Sequence, residues 1–127
     1  MTEVEIKVRH NGPYKVTGPI RLIDADGNEY ELPDDDALFV VKARHSIFYQ
    51  TPLEYLLGQE GVDRVVLTGQ VTEQCILYSA LDAYIRHFDV RVPHDAVAHI
   101  HEDLAEAALK MMEINMSADV SPARDRD

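Results

Sequence analysis

Val62-Asp63-Arg64-Val65-Val66-Leu67-Thr68-Gly69-Gln70-Val71-Thr72-Glu73-Gln74-Cys75 is the stretch from which the rest of the chain is read. Its first six residues make an apolar run of strand length, Gly69 breaks the run, and the remainder opens an amphipathic helix. The only cysteine therefore falls in the first turn of a helix that follows a strand. A thiol there feels unpaired backbone N–H groups and the positive end of the helix dipole, and both favour the nucleophilic thiolate. The same N–H groups can hold the oxyanion that forms when sulfur attacks a carbonyl. The placement suggests acyl-transfer chemistry. The plainer reading, a small buried helix residue like most free cysteines, stays open on the residues alone.

Outward from this stretch the pattern alternates. Ile76, Ala80, Ala83 and Tyr84 stand at helical spacing in a helix expected from about Thr72 to His87. Asp89-Val90-Arg91-Val92 reads as a short strand, and Asp103 to Met112 is a helix by propensity. Upstream, Thr51-Pro52 starts a helix through Leu57, with Thr as cap and Pro at the first position. Ala37-Leu38-Phe39-Val40-Val41 is a continuous apolar run, typical of a strand covered on both faces. This β-α-β-α-β-α order predicts an α/β fold, a partial doubly wound parallel sheet.

Residues before the seam Pro33-Asp34-Asp35-Asp36 follow a different pattern. Val4, Ile6 and Val8 alternate with charged residues, and Ile20–Ile23 faces Glu29–Leu32 across Asp24-Ala25-Asp26-Gly27-Asn28, which reads as a β-hairpin within a short meander. The expected organisation is an N-terminal β segment over 1–36, an α/β domain over 37–120 and a charged tail over 121–127.

The chain of 127 residues has the length of one modest domain, and 46% hydrophobic residues suit a globular core. A net charge of −11 repels phosphate backbones, so nucleic acid is not an expected partner. No apolar stretch approaches the roughly 18 residues that span a bilayer, and the acidic start lacks a signal-peptide pattern. One cysteine excludes an internal disulfide framework and a Cys-based zinc or iron–sulfur site, and fits a reducing cytoplasm.

From about Leu38 to Val120 the chain resembles the isochorismatase-like cysteine hydrolases. The matching stretches are Val40-Val41-Lys42-Ala43-Arg44-His45-Ser46-Ile47-Phe48 with Thr51-Pro52-Leu53, and Val66 to Cys75. Ser79 to Tyr84 and Val90 to Ala98 extend the match. The resemblance implies a doubly wound sheet with the ligand at the carboxyl ends of its strands. It implies that Cys75 attacks an amide or related carbonyl, that Lys42 is the family's catalytic lysine, and that no cofactor takes part. It places a non-proline cis peptide at Val71–Thr72, aiming the Thr72 N–H, with that of Cys75, into an oxyanion hole.

The family's third catalytic group is an aspartate ending its first strand, which precedes the lysine by more than the 41 residues available here. Asp24, at the end of Ile20–Ile23, is the candidate replacement, although Asp26-Gly27-Asn28 reads better as turn chemistry. Residues 4–36 resemble instead the N-terminal β segment of CDGSH-type iron–sulfur proteins, through Asn11-Gly12-Pro13-Tyr14, Gly18-Pro19-Ile20 and Asp24-Ala25-Asp26-Gly27. The cysteine-rich motif of that family does not follow, so no cluster is expected.

His45, Phe48 and Gln70 are candidates for the pocket wall, with core packing the competing role for the first two. His94, His99 and His101 are spaced by five and two, which does not put them on one helix face, so no metal site is expected. The expected function is hydrolysis of a C–N bond in a small amide or carbamoyl compound, the substrate being the small-molecule partner. The rival is a non-catalytic remnant or assembly module of the same fold. An unpaired strand edge at Ala37–Val41 or Arg64–Leu67 is either covered by the hairpin of residues 4–32 or joined to a second chain, and the small α/β core favours the second, a homodimer or higher homo-oligomer.

Overall fold

Alternation of apolar and charged residues near the start of the chain gives short antiparallel strands. A computed structural model describes residues 40–123 throughout, and elsewhere the backbone of five strands. These are β1 (Glu5–Lys7), β2 (Tyr14–Thr17), β3 (Leu22–Ile23), β4 (Glu29–Tyr30) and β5 (Leu38–Phe39). β1, β2 and β5 form one antiparallel sheet in that order, and β3 pairs with β4, Leu22 opposite Tyr30 and Ile23 opposite Glu29. β5 departs from expectation. Leu38 and Phe39 sit opposite Lys15 and Tyr14 in an antiparallel pair, not in the parallel sheet. An apolar run shows that a strand is covered, but not which neighbour it chooses or in which direction. Residues 24–28, with Asp24 and the expected hairpin turn, lie outside the described residues.

The chain divides into two compact units, Met1–Val41 and Lys42–Asp127. The second holds the α/β architecture: α1 (Leu53–Gln59), β6 (Arg64–Val66), β7 (Gly69–Gln70), α2 (Leu77–Ile85), β8 (Asp89–Arg91), β9 (Val97–Ala98) and α3 (Glu102–Met116). β6 runs parallel to β8, with Val65 opposite Val90, and β7 runs parallel to β9, with Gly69 opposite Val97. On the far side of β8, Val92 N–H donates to Asp119 O at 2.8 Å and Asp119 N–H to Val90 O at 3.0 Å, adding a third chain segment. Parallel neighbours need a crossover, and the helices supply it.

Val65, Leu67, Val90 and Val92 form a buried stripe with Ile76, Ala80 and Ala83, and with Ala108 and Met112 of α3. The helix positions buried against one another are mostly alanine, which lets α2 and α3 approach closely. Among the described residues, Met112 is the largest side chain completely enclosed. Complete burial of such a side chain contributes roughly 1.5–3 kcal/mol.

The helix expected from Thr72 is not α-helical throughout. Thr72–Ile76 forms a wider π-helical turn, with Ile76 N–H donating to Val71 O at 3.2 Å, and the α-helical pattern begins at Leu77. The helix ends at Ile85, where His87 takes a left-handed φ of 66°. Phe88 N–H then donates to Ala83 O at 3.1 Å and His87 N–H to Tyr84 O at 2.9 Å, the paired bonds of a Schellman cap built without glycine. Tyr84, placed on the apolar face by spacing, is 44% exposed.

Candidate active site

Cys75 sits half-buried in the π-helical turn, where a strand end gives way to a helix. Lys42 Nζ lies 3.3 Å from Cys75 Sγ and also donates to His45 O at 3.3 Å. These two residues are 33 positions apart, so the loop carrying Lys42 must be held to the helix carrying Cys75. Ser79 does this from one turn further along. Its Oγ accepts the Ile47 N–H at 3.1 Å, and Ser79 is 2% exposed. Positions four apart lie on the same helix side, so the anchor and the thiol share one edge of the helix. The His45 ring packs edge-on to Tyr78 at 5.8 Å, and Phe48 inserts into the core beside Phe88 at 6.0 Å. Arg86 tops the Phe48 ring at 4.9 Å while pairing with Glu54 of α1 and Asp82 of α2.

The turn that carries Cys75 is fixed from its other side by the chain segment after β9. Thr72 Oγ1 donates to Ala98 O at 2.9 Å, and Thr72 is 1% exposed. Glu73 Oε1 accepts the N–H groups of Ile100 and His101, each at 2.9 Å. Burial would raise the pKa of Glu73. Hydrogen bonds from the His101, Glu73 and Ile100 N–H groups, with the charge of His101, outweigh it and hold the carboxylate below its ordinary range. The cis peptide lies between Gln70 and Val71, one bond before the expected Val71–Thr72.

Gly69 and Gln70 line an open groove of about 490 Å³ together with Asp95, Ala96, Val97 and Ala98. Gln70, an expected pocket residue, is therefore on a groove wall. His45 is exposed. Phe48 is not on a pocket wall; it is 5% exposed and belongs to the core, because Phe88 and Arg86 close over its ring. Val71 is half-buried at the cis bond. Asp24 lies outside the described residues, and among the described residues no carboxylate is hydrogen-bonded to Cys75 or paired with Lys42. Nor, among them, is any group of three or more His, Cys, Asp or Glu placed to hold a metal ion. No helix among them is long and apolar enough to cross a membrane.

The sequence reading singled out neither Glu73 nor Ser79. The signals for them were the i, i+4 spacing of Ser79 from Cys75 and the place of both residues in stretches that carry the family resemblance.

The isochorismatase domain family matches residues 28–125. The chain is 36% identical over 89 residues to the uncharacterized isochorismatase family protein YaaI of Bacillus subtilis, covering 70% of this chain and 49% of that protein. It is 32% identical over 119 residues to maleamate amidohydrolase of Pseudomonas putida, covering 84% of this chain and 56% of that one. Its fold is similar to that of the nicotinamidase SaPncA from Staphylococcus aureus, with a TM-score of 0.65 and 31% identity over 65% of this chain and 53% of that one. The chain thus spans about half the length of the curated relatives it matches. The likeness of residues 4–36 to CDGSH-type proteins gains no support: the matched domain already begins at residue 28, and most residues quoted for it lie outside the described ones. With a match over most of its length, a parallel α/β sheet and relatives above 30% identity, this chain belongs to the isochorismatase family.

Proposed function

We propose that this chain carries the thiol centre of a hydrolase acting on the C–N bond of a small amide or carbamoyl compound. The observation that supports it most is the Lys42 ammonium 3.3 Å from Cys75 Sγ. An ammonium at that distance can stabilise negative charge on the sulfur and in the transition state. In this reading the Cys75 thiolate adds to the carbonyl carbon, and the Cys75 backbone N–H takes the oxyanion. Collapse expels the amine, which needs a proton, and leaves a thioester. Water then adds to the thioester and releases the acid, returning the thiol. Asp24 is the candidate carboxylate for carrying the proton. Gln70 and His45 border the space for substrate.

The second reading is an assembly module with the same surface and no turnover. Such a module has no carboxylate in reach of Cys75 or Lys42 to move a proton. Without such a group, acid–base catalysis of typically 10²–10⁴-fold is lost. Hydrolysis of a small-amide panel including nicotinamide and maleamate, with Cys75→Ala as control, decides between them. Turnover that disappears in Cys75→Ala supports the enzyme, and Asp24→Asn then tests the proton carrier. A chain that turns over nothing at any concentration supports the module.

A homodimer fits both readings. β6 is paired on one side only among the described residues, and Val66 on it is 54% exposed. Light scattering across a dilution series tests this, a stable monomer at nanomolar concentration being the refuting result. The single cysteine suits a reducing cytoplasm.

A further inference from the structure

We infer that Glu73 is a positioning residue for the thiol centre: its buried carboxylate ties the turn that carries Cys75 to the start of α3 and so keeps the sulfur opposite Lys42. The inference rests on the reading of Cys75 and Lys42 as a working pair. Its own support is geometric. Glu73 is 8% exposed, and its Oε1 takes two backbone N–H groups, from Ile100 and His101, at 2.9 Å each. Its Oε2 is enclosed with no hydrogen-bond partner. A carboxylate is rarely enclosed without a cation, and here the backbone takes that place. The two N–H groups immediately precede α3, where the helix dipole also favours a negative charge.

Glu73 is not placed to act on the substrate itself. Two residues apart on a helical turn, Glu73 and Cys75 project to different sides, and the contacts show it: one reaches Ile100 and His101, the other Lys42. Thr72 adds a parallel tie through Ala98 O, and β7 pairs with β9 immediately before it. Residues 69–73 are thus stitched to residues 96–101 by backbone ladder, hydroxyl and carboxylate in succession. The stitch bears on the one turn whose other face carries the thiol. Glu73 supplies its only charge-assisted bonds, which are stronger than neutral ones.

A double-mutant cycle on the intact chain tests this, with the alkylation rate of Cys75 by iodoacetamide at neutral pH as readout. In the parent, Lys42→Met is expected to slow alkylation about four- to eightfold. In the Glu73→Gln background, where the charge is gone and an amide N–H₂ occupies the partnerless position, the same change is expected to slow it less than about twofold. Glu73→Ala, which removes both bonds, is expected to behave like Glu73→Gln or more so. If it does not fold, Glu73→Gln carries the test. A Lys42→Met effect of the same size in the parent and in Glu73→Gln overturns the positioning role, even if the variant unfolds at a lower temperature. A Lys42→Met effect absent from the parent itself overturns the Lys42–Cys75 pair, and with it this inference.

Discussion

Replacing Lys42 by Met removes the ammonium while keeping an unbranched side chain of similar length, and the loss can be sized from one distance. Opposite unit charges 3.3 Å apart attract by about 1.3 kcal/mol at the dielectric of water. The site is exposed, so the larger energies of a dry interior do not apply. Screening at physiological salt, with a Debye length of about 8 Å, lowers the attraction to about 0.8 kcal/mol. At about 1.4 kcal/mol per factor of ten, Lys42→Met should slow the alkylation of Cys75 about four- to eightfold. The assay is alkylation of Cys75 under pseudo-first-order conditions, with Cys75→Ala as blank. Low salt should push the ratio toward eight and high salt should shrink it. A ratio near one at every ionic strength would refute the reasoning, because the pair would then exist without favouring the charged sulfur.

Met112→Ala should destabilise the fold by about 2–5 kcal/mol, read from the denaturant midpoint, because an enclosed side chain is replaced by a cavity. Arg86→Met should cost about 1–2 kcal/mol by the same measurement, losing the pairs with Glu54 and Asp82 and the contact with the Phe48 ring. Acid should expose the role of the Glu73 charge. Its folded value lies below the ordinary 4.5, so its stabilisation is present above that value and is lost as pH falls through the lowered one. Thermal unfolding of Glu73→Gln should therefore differ most from the parent at neutral pH and converge with it as acid is added. A gap that widens on acidification would contradict the assignment. Asp119, lowered by hydrogen bonds from Ser121 and by Arg91, adds stability with the same sign.

Local pattern went a long way in this chain. An apolar run from Val62, a breaker at Gly69 and a 3.6-residue period through Ala83 announce strand, turn and helix, because each depends on neighbours a few positions away. The likeness of Val40–Phe48 and Val66–Cys75 to a known family then put Lys42 and Cys75 in one site, which spacing alone does not imply. Tertiary structure decided the rest. Leu38 and Phe39 pair antiparallel with β2 because an apolar run does not encode its partner. Phe48 goes to the core and not to a pocket wall because Phe88 and Arg86, some 40 positions on, close over it. Nothing nearby in sequence reveals that the carboxylate of Glu73 meets Ile100 and His101. Periodicity reports which side of an element is apolar; a buried carboxylate's partners are set by where two distant backbone segments meet, and only the folded chain fixes that.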